Sequence, residues 1–293
     1  MRIVSLLPSA TEIVYALGLD DQLVGVTFEC DEPADARARH TVVVGGADTT
    51  TMTPGEIDDY VRAQAAAGAD LYTLHRDALG SLQPDLVLTQ DLCRVCALPS
   101  GAVGEALAHL GCSADVVTLD PYTLPEVLAS IATVAVAAQV PERGDEVIGR
   151  LQQRLALVAQ RVRRRDRPRV AVVEWVDPPF AAGHWIPDLV RAAGGEPVGG
   201  TPGERSRPTT WAALADTRPD VVVVAPCGYG LDGAAEQAEV VCRELPDVPV
   251  WAIDGNGLIV RPGPRVVDGV GALAGILHPD CVQGRADAVR RIR

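Results

Sequence analysis

The chain has 293 residues, 47% of them apolar, enough for two domains that each bury a core of their own. Its formal charge is −13 and all of its 26 basic residues are arginine. That charge repels nucleic-acid phosphates, the lack of lysine excludes Schiff-base and P-loop lysine chemistry, and no stretch approaches the roughly 20 apolar residues of a membrane span. Neither nucleic acid nor membrane insertion is expected.

Residues 1–12, Met-Arg-Ile-Val-Ser-Leu-Leu-Pro-Ser-Ala-Thr-Glu, pass from an apolar strand straight into a helix opened by Ser9 or Thr11. Pro8 and Glu12 interrupt the only candidate for a secretory leader, so the sequence as read predicts a cytoplasmic protein. Strand-like runs over 3–7, 23–27, 85–89 and 115–119 alternate with helical stretches over 11–17, 57–67 and 103–110, and Gly18 and Gly111 fall where C-terminal caps belong. Such alternation predicts a parallel sheet covered by helices.

From residue 124 the pattern turns helical, and Pro141 suits the first turn of a helix running to about Arg165, a length of roughly 37 Å. Its arginine-rich end, 161–169, reads as a solvated terminus whose cations complement the helix dipole. A second alternating set follows Pro168, with strands over 169–175, 220–225 and 249–253 and helices over 186–193, 234–245 and 265–277. The expected fold is α/β. Two Rossmann-like lobes with central parallel sheets, 1–123 and 168–293, are joined by a helical linker over 124–167 that contains the long backbone helix.

Catalytic motifs are missing: there is no Gly-x-Ser-x-Gly, no His-Glu-x-x-His and no clear nucleophile–base pair, so no catalytic residue is assigned. Gly-Val-Gly-Ala-Leu-Ala over 269–274 fits a dinucleotide pattern only on paper, because no strand precedes it, and it reads as small-residue helix packing. The seven cysteines form an odd count without the spacing of a disulfide scaffold, which favours a reducing compartment.

Five segments carry a resemblance: Ser-Leu-Leu-Pro-Ser-Ala-Thr-Glu (5–12), Leu-Gln-Pro-Asp-Leu-Val-Leu (82–88), Asp-Pro-Pro-Phe-Ala-Ala-Gly (177–183), Ala-Gly-Gly (193–195) and Arg-Pro-Asp-Val-Val-Val-Val (218–224). In this order, and over nearly the whole chain, the sequence resembles the vitamin B12-binding, BtuF-like family of class III substrate-binding proteins. The resemblance implies a cleft between two lobes that holds a corrinoid such as cobalamin, with little hinge motion across the linking helix. It is less specific for the ligand, since siderophore and haem binders share the plan. By motif it assigns to the cleft Pro8 and Ser9, Pro179 and Phe180 in the Asp-Pro-Pro-Phe loop, Trp211, and the loop over 254–261 with Asn256 and Arg261. It also implies a docking glutamate on each lobe for a membrane permease. Those positions fall at His75 and at Thr210 or Trp211, so permease docking is doubtful on this reading.

The remaining candidates come from the residues themselves. Gln-Asp-Leu-Cys-Arg-Val-Cys over 90–96 places Asp91, Cys93 and Cys96 in the loop after a predicted strand. Two thiols at this spacing could hold zinc or iron, cycle to a disulfide or approach the cobalt of a corrinoid, and equally could be small loop residues. One such pair is only half of a zinc site. Glu29 and Cys30, after the second strand, could complete a ligand or metal contact. His184 and Trp185 open the first helix of the second lobe, where histidine could ligate cobalt or cap a carbonyl. Arg261 could meet the amide or phosphate groups of a nucleotide-tailed corrinoid. The leading expectation is a corrinoid-binding protein. The alternatives are a metal- or thiol-dependent enzyme using Cys93 and Cys96, and an exported importer component for cobalamin, haem or siderophore whose leader is missing from the sequence.

Overall fold

The computed structural model describes residues 1–49, 51–91 and 100–293. Two compact units emerge: unit 1 comprises Met1–Asp120 and Leu128–Ile148, and unit 2 comprises Pro121–Val127 and Gly149–Arg293. The helical region is thus divided between the units.

Unit 1 is built on a six-stranded sheet. Its strands are β1 (Ile3–Ser5), β2 (Leu23–Thr27), β3 (Thr41–Gly46), β4 (Tyr72–Leu74), β5 (Leu86–Thr89) and β6 (Asp115–Thr118), in the order β4-β3-β2-β1-β5-β6. All pairs are parallel except β3–β4. The central strands β1 and β5 are buried along their whole length, as parallel strands covered on both faces must be. Helices α1 (Pro8–Ala16), α2 (Ala36–Arg39), α3 (Pro54–Ala67), α4 (Arg76–Leu82) and α5 (Ser100–His109) connect the strands, and α6 (Leu124–Ala137) and α7 (Pro141–Val162) follow. The two predicted caps hold: Gly18 and Gly111 take φ +67° and +66°. At the start of α3, Thr53 and Glu56 form a reciprocal capping box beside Pro54. β3 and β4 escape sequence reading, β4 because three residues show no period.

Unit 2 holds a seven-stranded sheet of β7 (Arg169–Val176), β8 (Pro179–Ala181), β9 (Glu196–Val198), β10 (Arg207–Pro208), β11 (Val221–Val224), β12 (Val250–Ile253) and β13 (Val289–Arg291). The order is β10-β8-β7-β11-β12-β13, and β9 shares with β8 the other edge of the long β7. β8 folds back antiparallel on the second half of β7, whereas β9 runs parallel to its first half. Helices α8 (Ile186–Ala192), α9 (Trp211–Asp216), α10 (Leu231–Glu244), α11 (Gly255–Leu258) and α12 (Val266–Leu277) cover it. Within α12, a Cβ on Gly269 would run into the Leu258 carbonyl, so the glycine-rich run serves close packing, as the sequence predicts. Both sheets match the α/β class expected.

Among the described residues no helix is long and apolar enough to cross a membrane.

Candidate functional site

In an open parallel sheet the binding edge forms from loops leaving the carboxyl ends of the strands, where the strand order reverses. That point lies between β1 and β5 in unit 1 and between β7 and β11 in unit 2.

In unit 1, β1 feeds α1 through Leu6 and Leu7. Pro8 occupies the first helical turn, and among the described residues no N-cap side chain bonds to the helix, so its first N–H groups suit an acceptor on a ligand. Beneath lies a buried polar network. Thr11 Oγ1 donates to Ser5 Oγ (2.9 Å) and sits 3.0 Å from Cys30 Sγ, Ser5 Oγ donates to the Leu7 carbonyl (2.9 Å), and the Thr27 N–H donates to Cys30 Sγ (3.4 Å). Ser9 and Cys30 are both buried, Cys30 completely. Cys30 is therefore part of the floor that fixes the strand ends. Half-buried Glu29 donates its N–H to Thr27 Oγ1 (3.1 Å), and its Oε2 accepts from the Tyr72 hydroxyl (3.5 Å). Asp91 accepts from the Ser100 N–H (2.8 Å) and hydroxyl (2.6 Å) at the head of α5, while its own N–H donates to Asp120 Oδ1 (2.7 Å). It acts as a helix cap. Cys93 and Cys96 lie outside the described residues.

An aromatic pair stands over this floor. Phe28, directly after β2, and Tyr72, which opens β4, have ring centroids 6.1 Å apart at 47°. Both are half-buried. Gly46 makes the arrangement possible, since a Cβ there would sit 2.5 Å from the Phe28 ring.

Unit 2 carries its own pair. Trp175 near the end of β7 and Tyr229 after β11 are 5.8 Å apart at 55°, again half-buried. The Trp175 indole donates to the Asp177 carbonyl (3.0 Å), and the Tyr229 ring lies against Gly233. Burial, reinforced by Glu236, raises the Tyr229 phenol above its usual value, so it stays neutral. Asn256 joins the two loops beside it. Its Oδ1 accepts from the Gly228 N–H (3.0 Å) and its own N–H donates to the Tyr229 carbonyl (3.1 Å).

The other expected residues are placed differently. Pro179 and Phe180 belong to strand β8, paired with Val176 and Trp175, and not to a loop. Trp185 is 5% exposed and donates its indole N–H to the Ile259 carbonyl (2.8 Å), which makes it a core residue. Trp211 packs against the core of unit 2 at the start of α9. Arg261 is half-buried at the far end of the α11 loop. His184 takes a left-handed φ of +49° and donates its N–H to the Glu204 carbonyl (2.5 Å). Its ring packs on Tyr122 and Trp185, and its Nε2 is buried without a hydrogen-bond partner. Burial first, then Arg205, lowers its pKa and keeps it neutral. Its ring is enclosed by residues of its own unit.

Sequence reasoning missed Phe28, Tyr72, Trp175 and Tyr229. The available signal was scarcity: aromatic residues make up 4% of the chain, yet four of them gather in two pairs at strand ends. Among the described residues, no three His, Cys, Asp or Glu side chains gather into a metal site.

The periplasmic binding protein family model matches residues 3–251. Among curated proteins, the chain is 24% identical over 295 residues to YvrC, an ABC transporter substrate-binding lipoprotein of Bacillus subtilis, covering 95% of this chain and 80% of that one. It is 25% identical over 275 residues to the vitamin B12-binding protein of Vibrio cholerae, covering 92% and 86%. Solved structures agree in fold: a periplasmic haem-binding protein from Pseudomonas aeruginosa at TM-score 0.71 and 20% identity (99% and 97% covered), and the V. cholerae vitamin B12-binding protein BtuF at 0.65 and 22% (94% and 96%).

Proposed function

Since the chain belongs to the periplasmic binding protein family and is a substrate-binding protein of the ABC-transporter type, we propose that its ligand is cobalamin or a related corrinoid. The observation that carries this reading is the half-buried aromatic pair at the carboxyl end of each sheet, Phe28 with Tyr72 and Trp175 with Tyr229. Flat apolar rings left partly open are suited to cover a planar macrocycle. The loops after β2 and β3 carry Glu29, Asp31, Glu32, Asp35 and Asp48, and the Arg37 guanidinium donates to the Phe28 carbonyl (2.9 Å) beside the first pair.

The positions that the resemblance assigns to docking carboxylates both begin short helices. His75 precedes α4, whose first turn supplies Asp77, and Thr210 caps α9, whose first turn has no acid. Carboxylate docking to a permease is therefore read as one-sided.

The test is a titration of the purified protein with cyanocobalamin and, separately, hemin. All four tryptophans lie in unit 2, so their quenching and the visible spectrum report independently. Stoichiometric cyanocobalamin binding is expected, weakened about tenfold by Tyr72→Ala and by Trp175→Ala. Tight hemin binding with no cyanocobalamin binding overturns the corrinoid reading.

A further inference from the structure

The end of α7 carries a charge pattern that ligand binding does not use. Residues 161–169 hold six arginines and one aspartate in a chain whose overall charge is −13. Two of the six are committed: Arg165 pairs with Asp280 (2.7 Å), and Arg169 reaches Glu196 (3.2 Å) and the Thr217 carbonyl (2.6 Å). Arg161, Arg163, Arg164 and Arg167 are exposed, and none of them forms an ion pair or hydrogen bond among the described residues. Complementing one helix dipole calls for one or two cations in the last turn, not four more beyond those already paired. One turn before Arg161, on the same stripe of the helix, Leu157 is 56% exposed, one of only three large apolar side chains so exposed among the described residues.

The location matters as much as the charge. Arg169 begins β7, so the cluster lies at the amino ends of the unit 2 strands. The binding edge lies at the other end of β7, eight residues or roughly 25 Å away. A partner here leaves the ligand loops clear. The adjoining cleft, about 420 Å³, does not trap a small anion, because Asp166 and Asp220 line it beside Arg165 and Arg167. What remains is four exposed guanidinium groups with one exposed apolar side chain a helical turn before the first of them. Guanidinium pairs with phosphate through two parallel hydrogen bonds, and an exposed leucine flanked by arginines is the pattern of a segment resting at a lipid interface. The overall negative charge does not oppose this at physiological ionic strength, since screening over about 8 Å leaves only the nearest charges effective.

We propose that the α7 terminus, through Arg161, Arg163, Arg164 and Arg167 with Leu157, rests on an anionic phospholipid surface as a peripheral contact. The assignment is independent of which ligand the binding edge takes.

The experiment is co-sedimentation of the full chain with vesicles of phosphatidylcholine containing about one third phosphatidylglycerol. Binding is expected to these vesicles and not to pure phosphatidylcholine. It should fall about fivefold for each Arg→Gln change at the four positions, and further for Leu157→Gln. Arg76→Gln with Arg243→Gln, removing two exposed cations elsewhere, should leave it unchanged. All are surface changes, and retained circular dichroism checks the fold. Equal binding to neutral vesicles, undiminished binding of the fourfold variant, or displacement by inorganic phosphate at constant ionic strength overturns the proposal. So does concentration-dependent self-association lost with the same arginines, which would assign the patch to a second copy of the chain.

Discussion

Unit 1 and unit 2 solve the same problem, a rigid strand end beneath an aromatic pair, with different chemistry. In unit 1 the floor is made of side chains: Ser5, Thr11, Thr27 and Cys30 share hydrogen bonds in a buried cluster. In unit 2 it is made of backbone brought close by glycine. A Cβ on Gly200 would collide with the Ala182 carbonyl, one on Gly255 with the Pro226 carbonyl, and one on Gly183 with the backbone of Glu204 to Ser206. Hydroxyl networks give way one partner at a time, whereas close backbone contacts cannot yield locally. The two units should therefore differ in how a single substitution is felt.

The sharpest break of that comparison sets Gly200→Ala against Leu79→Ala. The first adds one carbon where backbone blocks it, and about 4 kcal/mol of destabilisation is expected. The second removes most of a fully buried side chain from the core of unit 1, at about 3 kcal/mol. Because every tryptophan is in unit 2, urea unfolding followed by tryptophan fluorescence should register Gly200→Ala fully. Leu79→Ala should appear mainly in circular dichroism. Equal shifts in both probes for both variants would mean that the units unfold as one and that the comparison carries no energetic weight.

A smaller effect tests the side-chain floor itself. Thr11→Val keeps the shape and deletes the hydroxyl that serves both Ser5 and Cys30, so about 2 kcal/mol should be lost from unit 1 with the tryptophan transition in place. A companion loss of corrinoid affinity is expected, since Pro8 and Ser9 ride on the helix that Thr11 anchors.

The same contrast explains what could be read from the sequence. The long parallel strands and their cover helices were legible because burial on both faces writes a continuous apolar run, as in Val221–Val224, and because capping residues mark the helix ends. The short strands β8, β9, β10 and β13 were not, since two or three residues carry no period and their pairing is decided by contacts distant in sequence. The same reason hid the aromatic pairs. Phe28 and Tyr72 are 44 positions apart and meet only because β2, β3 and β4 are neighbours, while Trp185, read as an open aromatic, turned inward to satisfy its indole on Ile259. Motif matching points to the loop after β1 and the α11 loop as candidates. Pairing of aromatics across a sheet required the sheet.

The smallest expected effect concerns pH, and it distinguishes the units once more. Each encloses one histidine whose pKa is held below its ordinary value: His40 by burial and then Arg39, and His184 by burial and then Arg205. In unit 1 the neutral ring is tied into a polar cluster, with His40 Nε2 2.9 Å from the Tyr15 hydroxyl and Arg39 paired to Asp20 at 3.0 Å. In unit 2 the ring packs on Tyr122 and Trp185, makes a long contact to Ser206 Oγ (3.5 Å) and lies near the charge of Arg205. A histidine depressed in the folded state binds its proton more readily when unfolded. Its stabilising contribution is therefore complete above the unfolded pKa of about 6.5 and is lost as pH falls through that value toward the folded one. Lowering pH from 7.5 to 5.5 should reduce the urea midpoint seen by both probes. His184→Gln should remove that drop from the tryptophan signal and part of it from circular dichroism, whereas His40→Gln should reduce it in circular dichroism and leave the tryptophan profile unchanged. If His40→Gln flattens the tryptophan profile, protonation in unit 1 is being felt in unit 2, and the independence that the glycine and leucine variants are meant to show fails.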